Sequence, residues 1–416
     1  LDKNLEHSRP SDRDVGGADR SEMVSTYKKR KGAWSMKRPQ GIDPSVFDLS
    51  RRFASIALMG PPLSDKVIRL IEHLFTPGEA AVAVGVPNYI GMPAELIAKK
   101  LKRDPAEIQP YLDSMSTKRI IMRLAGDKGV TYALLPIVPG MFEMVLMKGD
   151  DTEWHRKYAE LFEELYSTGY FRDSATRPLP GFKSIPVELS LPGESVVLPS
   201  DRFSELLQSH TDMAVINVCQ CRQAKRLTDK TCKRSKPEDG CLSFGTFASY
   251  IEKEGLGRMV SREEMKDIAA ERNEKGLVFF TGNVKFSNPN AICTCCDCCC
   301  DLLRSINEFG AIGLVAPAHF IAKVDNALCN NCGKCAKRCN TYAHTMQEKK
   351  HLFNSAKCIG CGLCIGSCKE DAISMVANPA YKPPSENFLR LGLRLLPNAT
   401  AIAIKRKLTG DSRDYY

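Results

Sequence analysis

The 416-residue sequence lacks several features that would settle its class at once. No run approaches the ~18 uninterrupted apolar residues of a membrane span, so a helical integral membrane protein is not expected. No G-x-G-x-x-G follows a strand-like run, and no glycine-rich loop ends in Lys-Ser/Thr, so neither a nucleotide nor a flavin site is expected. No secretory leader opens the chain as given, which sets its 18 cysteines in a reducing cytosol rather than in an oxidised extracellular scaffold. The chain begins at Leu1, which leaves the native start open. Charge is present, at a net +10, but it is concentrated at the ends. Residues 1–55 carry 12 basic and 8 acidic side chains and residues 381–416 carry 7 and 3, so the tails supply +4 each and the body is nearly neutral.

What the chain has is cysteine in patterned groups. Cys329, Cys332, Cys335 and Cys339 follow C-x2-C-x2-C-x3-C, and Cys358, Cys361, Cys364 and Cys368 repeat that spacing 29 positions later. A cubane iron–sulfur cluster needs four converging thiolates, and two-residue spacers let three of them wrap one corner of it, while the fourth crosses to the neighbouring cluster. The spacing therefore assigns Cys329, Cys332, Cys335 and Cys368 to one [4Fe-4S] cluster and Cys358, Cys361, Cys364 and Cys339 to a second. Structural zinc sites use two C-x2-C pairs set far apart, and disulfides are the other alternative. The segment resembles the bacterial-type two-cluster ferredoxin domain. It departs from that family in one place per half, where the proline after the fourth cysteine is Asn340 in the first motif and Lys369 in the second. Two clusters with four thiolates each shift the holoprotein by about −4, offsetting much of the basic charge.

Taken in order, residues 1–55 read as a flexible basic arm, with Lys28, Lys29, Arg30, Lys31, Lys37 and Arg38 around Trp34. From Ser64 the pattern is helical, with Val67, Leu70, Ile71 and Phe75 on one face. A short helix carrying Leu96, Ile97 and Leu101 follows Gly91, and another opens at Asp104-Pro105. A hairpin then runs from Ile120 to Leu134 about a turn at Ala125–Gly129. Three helices followed by a hairpin resemble a winged helix-turn-helix domain. Its recognition helix would present Glu107, Gln109 and Asp113, interrupted by Pro110, with Lys118 and Arg119 only at its end, a poor set for base edges and phosphates. Protein docking is then the expected use, with DNA binding as the alternative. Trp154, Tyr158, Leu161, Phe162 and Leu165 recur at helical spacing up to Gly169, and five prolines in 171–200 read as an extended connector.

A second cysteine region follows. The apolar run Met213–Val218 reads as a buried strand that delivers Cys219, Cys221 and Arg222 at its carboxyl end, with Cys232 and Cys241 beyond. Ser261 and Glu264 read as a capping box on a helix that ends at Gly276. A strand from Leu277 leads on to C-T-C-C-D-C-C-C, with Cys293, Cys295, Cys296, Cys298, Cys299 and Cys300. Six thiols within eight residues do not pack as ordinary core, and adjacent cysteines make strained disulfides, so metal is the expected purpose. A third [4Fe-4S] or larger cluster, a thiolate–zinc site and a thiol–disulfide centre all remain open. The C-x-C-R and C-x-C-C-x-C-C-C segments, joined to a ferredoxin domain, resemble a group of anaerobe iron–sulfur proteins. Paired cysteines also resemble those of heterodisulfide reductases, without that family's spacing. The resemblance implies redox function and names no substrate.

The expected fold is multidomain α+β. It comprises the arm (1–55), a winged-helix-like domain (56–150), a helix with its Pro-rich connector (151–200), a cysteine-rich α/β domain (201–315), the 2[4Fe-4S] ferredoxin domain (316–380) and a basic apolar tail (381–416). That tail, with Pro383-Pro384, Leu389, Leu391, Leu393, Leu395, Leu396 and Lys405-Arg406-Lys407, would dock on a partner, lie on a membrane surface or pack on the protein itself. The expected function is a cytoplasmic electron-transfer component of an oxidoreductase system, working with redox protein partners within a larger oxidoreductase complex. The alternatives are a reductase acting at the middle cysteines and a redox-sensing transcriptional regulator.

Overall fold

A computed structural model describes residues 37–126, 129–169, 171–191, 202–285 and 291–409, leaving aside the side chains of 189 and 406–409. The basic patch at 28–36, the hairpin tip at 127–128 and Arg406-Lys407 therefore lie outside what is described. Three layers of structure follow one another along the chain.

The first is helical. Helix α1 (Pro44–Phe53) is capped by Asp43, whose side chain accepts the Ser45 N–H at 2.8 Å. Its Val46, Phe47, Leu49 and Phe53 are buried in the same core as the following helices. This corrects the expectation of an arm running to residue 55, because that i, i+3, i+7 stripe behind an Asp-Pro start is an ordinary helix signal. Helices α2 (Asp65–Leu74) and α3 (Pro77–Ala83) start at Ser64 and Thr76, the latter as a reciprocal capping box with Glu79. Next come a two-residue strand β1 (Met92–Pro93), α4 (Ala94–Leu101), α5 (Pro105–Thr117) and the hairpin β2 (Met122–Gly126) with β3 (Gly129–Ala133). The three strands lie in the order β1-β3-β2, all antiparallel. Within α4, Ile97 is buried while Leu96 faces solvent, so the expected apolar face is narrower than the sequence implies. Helices α6 (Phe142–Leu146) and α7 (Glu153–Ser167) close this core, with Phe142 stacked on Phe162 at 4.0 Å between centroids.

The second layer is a six-stranded antiparallel sheet in the order β4-β8-β9-β6-β5-β7. Its edge strand β4 (Phe182–Ile185) comes from the proline-rich stretch, so part of that stretch is sheet rather than connector. Pro180 and Pro186 flank the strand rather than interrupt it, so its own residues keep their N–H groups for pairing. Helix α8 (Phe203–Ser209) leads into β5 (Met213–Ile216), α9 (Gln220–Leu227), β6 (Leu242–Phe244), α10 (Thr246–Lys253) and β7 (Gly257–Met259). Helix α11 (Arg262–Glu274) is followed by β8 (Val278–Gly282), β9 (Ala291–Cys295) and α12 (Asp301–Phe309). Ser261 caps α11 by accepting the Glu264 N–H, but the Glu264 carboxylate turns to Arg258 at 2.5 Å, so the expected capping box is half made. Buried polar ties hold this layer to the first: Arg304 of α12 reaches Glu163 of α7 at 3.0 Å, and Lys225 of α9 reaches it at 2.7 Å.

The third layer pairs β10 (Phe320–Val324) with β13 (Ile373–Ala377), and between them lie α13 (Lys334–Arg338) and the hairpin β11 (His344–Gln347) and β12 (Lys350–Phe353). The tail is α14 (Phe388–Thr409), which lies back on the protein through Asn398 to the Pro178 carbonyl at 2.8 Å and Lys405 to Asp173 at 3.5 Å. Leu391 and Ile402 are buried, while Leu389 and Leu393 stay exposed. No helix among the described residues is long and apolar enough to cross a membrane.

Glu79 tests the first core. Its side chain, 3% exposed, accepts from Lys118 at 2.6 Å, Ser114 at 2.7 Å and the Thr76 N–H at 2.8 Å. Burial alone would raise its carboxyl, but those three donors outweigh it and hold it below its ordinary 4.5. Glu79→Gln removes a charged acceptor and is expected to cost about 1–3 kcal/mol in urea unfolding followed by Trp154 fluorescence. The depressed folded value makes the wild-type contribution complete above pH 4.5 and lost as pH falls through that lowered value. The gap between the two proteins should therefore narrow on acidification; a constant gap from pH 7 to 3 would show that the charge contributes nothing.

Candidate metal centres

The third layer contains the repeated motifs. One cavity is lined by Cys329, Cys332, Cys335 and Cys368 together with His351, so residues far apart in sequence meet around one space. Cys339, Cys358, Cys361 and Cys364 form the other neighbourhood. Burial, reinforced by the charges of Cys339 and Cys358, pushes the Cys361 thiol up to about 12, and Cys364 is raised by burial and by the same partners together with Cys361. Each set offers four soft thiolates, the donor type that cubane clusters take, and binding would deprotonate all four. Local backbone supports the loops. Gly360 has φ +69°, and a Cβ there would collide with the Phe320 carbonyl, so glycine is required between Cys358 and Cys361. Ala343 N–H donates to the Cys339 sulfur at 3.2 Å. Sequence reasoning passed over two histidines. His351 Nδ1 lies 3.8 Å from the Cys329 sulfur, and its Nε2 lies 2.9 Å from Nδ1 of buried His344. Their only sequence signal is their place on the hairpin between the two motifs.

The ten middle cysteines do not form one site. Six of them form a ring in which each thiol interacts with two neighbours: Cys219 with Cys221, then Cys300, Cys295, Cys293, Cys241 and back to Cys219. The other four, Cys232, Cys296, Cys298 and Cys299, converge with their sulfurs all within 4.8 Å of one another. The local fold explains the division. Cys293 and Cys295 are two apart on β9, where period two puts both on one face of the sheet. Cys241 precedes β6, and Cys219 and Cys221 open α9. The chain then turns through Cys296, Cys298 and Cys299, away from the ring, and comes back to it at Cys300, the N-cap of α12. The segment 293–300 thus gives three thiols to each group. Cys219 and Cys221 sit at a helix start, and the two differ: the ring neighbours Cys221 and Cys241, and then the Arg222 charge, hold the Cys219 thiol low, whereas Cys219, Cys300 and burial push the Cys221 thiol up.

Arg222, 2% exposed, lies between the two groups. It donates to the carbonyls of Lys236 at 3.0 Å, Thr294 at 3.0 Å and Asp239, and its Nη1 lies 3.9 Å from the Cys296 sulfur. The charges of Cys219, Cys296 and Cys241 all raise its pKa against the desolvation that would lower it. Two carboxyls flank the ring, Asp301 buried and Glu143 half-buried. Burial pushes Glu143 up to about 7, with Cys293 and Cys300 acting in the same sense, and pushes Asp301 up to about 8.

The ring and the repeated motifs are packed together. Cys361 shares one apolar cluster with Cys293, Cys295 and Cys300, filled out by Val278, Phe280, Leu303 and Ile359. A second junction is polar. Asn340, 1% exposed, accepts the Asp297 N–H at 3.0 Å and donates to the Gly276 carbonyl at 2.9 Å, while its own carbonyl accepts from Asn307 at 3.0 Å. The residue that departs from the ferredoxin pattern is thus the tie between the layers.

Against known proteins, residues 321–369 match the family model of a 4Fe-4S dicluster domain. No curated protein and no solved structure matches the chain. Iron–sulfur chemistry is therefore the chemistry of this segment, and the remainder of the chain is read from its own residues.

Asn340→Ala leaves the Asp297 N–H and the Gly276 carbonyl without their buried partners, at an expected cost of about 1–3 kcal/mol. Hydrogen exchange should quicken at Asp297 and in the segment 276–277 while the β10–β13 pairing keeps its protection. Unchanged exchange at Asp297 would show that the tie is dispensable.

Proposed function

We propose that the chain is an electron-transfer protein in which the dicluster segment relays single electrons between a redox partner and a further iron–sulfur centre at the six-thiol ring. When bound, [4Fe-4S] clusters take up and release one electron each at potentials set by hydrogen bonds to sulfur and by solvent exposure. The chain's own residues provide the holding and the ordering. Cys332, on the first-cluster side, is exposed, whereas Cys361, on the second, is partly buried against the ring cysteines. That shared apolar cluster of Cys361 with Cys293, Cys295 and Cys300 is the observation that carries the reading, because relay between centres needs short, fixed separation on rigid elements. Fit favours a cluster in the ring. The ring has six thiols, more than a single ion takes, and among the described residues no three of them crowd within 4.8 Å.

The helical layer is read as a winged-helix-like docking unit. Strand β1 leads into α4 and α5, the hairpin β2–β3 follows them to complete the sheet β1-β3-β2, and the polar side chains of α5 are already engaged: Glu107 by Arg103 at 3.0 Å, Gln109 by Asp113 at 2.8 Å and by the Tyr132 hydroxyl at 3.0 Å. A helix with its polar groups so occupied suits a protein partner better than base edges.

The test is iron and acid-labile sulfide per chain on anaerobically purified protein, with electron paramagnetic resonance of the dithionite-reduced sample. Roughly twelve or more irons are expected, against about eight for two cubanes alone. Cys293→Ser should remove the excess while the coupled signal of the two neighbouring cubanes persists. About eight irons in the wild type would leave the ring without a cluster and sink this reading.

A further inference from the structure

The four cysteines outside the ring carry a separate conclusion. Their sulfurs are too close together for a cubane. Cys232 Sγ lies 3.6 Å from Cys296 Sγ and 3.6 Å from Cys298 Sγ, and Cys298 Sγ lies 3.7 Å from Cys299 Sγ. A single ion bound by four thiolates at about 2.3 Å in a tetrahedron sets them about 3.8 Å apart, since the edge is about 1.63 times the centre-to-corner length. A cubane places an iron between each thiolate and the cluster centre and so holds its four thiolates wider. The chain contains its own comparison: among the described residues, no three of the eight dicluster cysteines gather within the 4.8 Å that encloses all four of these.

We propose that Cys232, Cys296, Cys298 and Cys299 bind one thiophilic metal ion, zinc or iron, as a closed tetrahedral tetrathiolate distinct from any iron–sulfur cluster. Four protein ligands leave no open position, which is the form of a structural site. Four thiolates around a divalent ion carry a net charge of −2, and the surroundings answer it. The Lys233 and Arg234 N–H groups donate to Cys298 and Cys232 at 3.4 Å and 3.5 Å, and Arg222 Nη1 approaches Cys296. Such bonds orient the ligands and stabilise their anions.

The placement explains what the ion would do. Arg234 bonds Asp297 at 2.6 Å and the Lys337 carbonyl at 3.2 Å, Tyr342 donates to Asp297 at 3.0 Å, and the Asp297 N–H donates to Asn340. Both ligand loops thus touch the first dicluster motif or the residues just after it, 232–234 at Lys337 and 296–299 at Asn340 and Tyr342. One ion at their crossing would clamp the dicluster segment onto the six-stranded sheet. The proposal stands whether or not the six-thiol ring holds a cluster.

The experiment uses the full chain purified anaerobically. Zinc, iron and labile sulfide are counted in the wild type and in Cys298→Ser, and zinc- and iron-edge X-ray absorption is recorded on the wild type. One zinc per chain in a shell of four sulfurs at about 2.3 Å is expected, falling at least twofold in the variant with labile sulfide unchanged. Loss of one iron without sulfide supports the same site with iron in it. Loss of about four irons together with sulfide makes the site a cubane and overturns the proposal, as does a wild type with neither metal in such a shell and a Cys232 disulfide by thiol titration. The absorption measurement needs no variant, so misfolding of Cys298→Ser does not blunt it. Because the ring is judged by iron beyond eight and this site by a metal without sulfide, the two readings fail separately.

Discussion

Collecting anionic sulfur in a buried volume is the constraint on which the rest of this structure depends. Ten cysteines lie within two adjoining groups, and as metal ligands all ten are thiolates that repel one another in a medium that screens poorly. Arg222 is a buried cation placed to answer both groups. Its guanidinium is held by three main-chain carbonyls from the 236–239 loop and from β9, so its position is set by backbone and not by the sulfurs it serves. A lysine would bring the charge without the planar fork that spans those three carbonyls. Helix starts at Cys219 and Cys300 add N–H dipoles at two points of the ring.

The dicluster segment was legible in the repeated C-x2-C-x2-C-x3-C motifs because the spacing within each motif is a local signal, read along the chain without knowing the fold. Helix starts at Ser64 and Asp104 were legible for the same reason, since a cap and its N–H partner lie within three residues. The split of C-T-C-C-D-C-C-C was not. Whether Cys295 and Cys296 share a site depends on where β9 ends, and that is decided by pairing with Val278 and Phe280 on β8 and with Leu242 on β6. Only with the register known does strand period separate Cys293 and Cys295 from Cys296. The edge strand β4 escaped for a related reason, because the prolines on either side of it signal a loop until a partner strand is present.

Several joints between the sheet and the dicluster segment share one chemical form: a side chain on one partner meets main chain on the other. Ser184 donates to the Ile359 carbonyl, Arg234 to that of Lys337, Arg338 to those of Asn273 and Glu274, and Asn340 joins the Asp297 N–H and the Gly276 carbonyl. Main-chain groups are indifferent to side-chain identity but strict in position, so such joints fix geometry more than they fix sequence. A proline after the fourth cysteine would serve a free-standing ferredoxin, whose turn has to support itself. Here Asn340 gives up that rigidity for a side chain that can donate and accept at once, and rigidity returns through the Asp297 loop it holds. The departure from the family pattern at residue 340 is therefore what a dicluster segment requires when it is built into a larger protein and its second cluster site must stay against the buried thiols of the sheet.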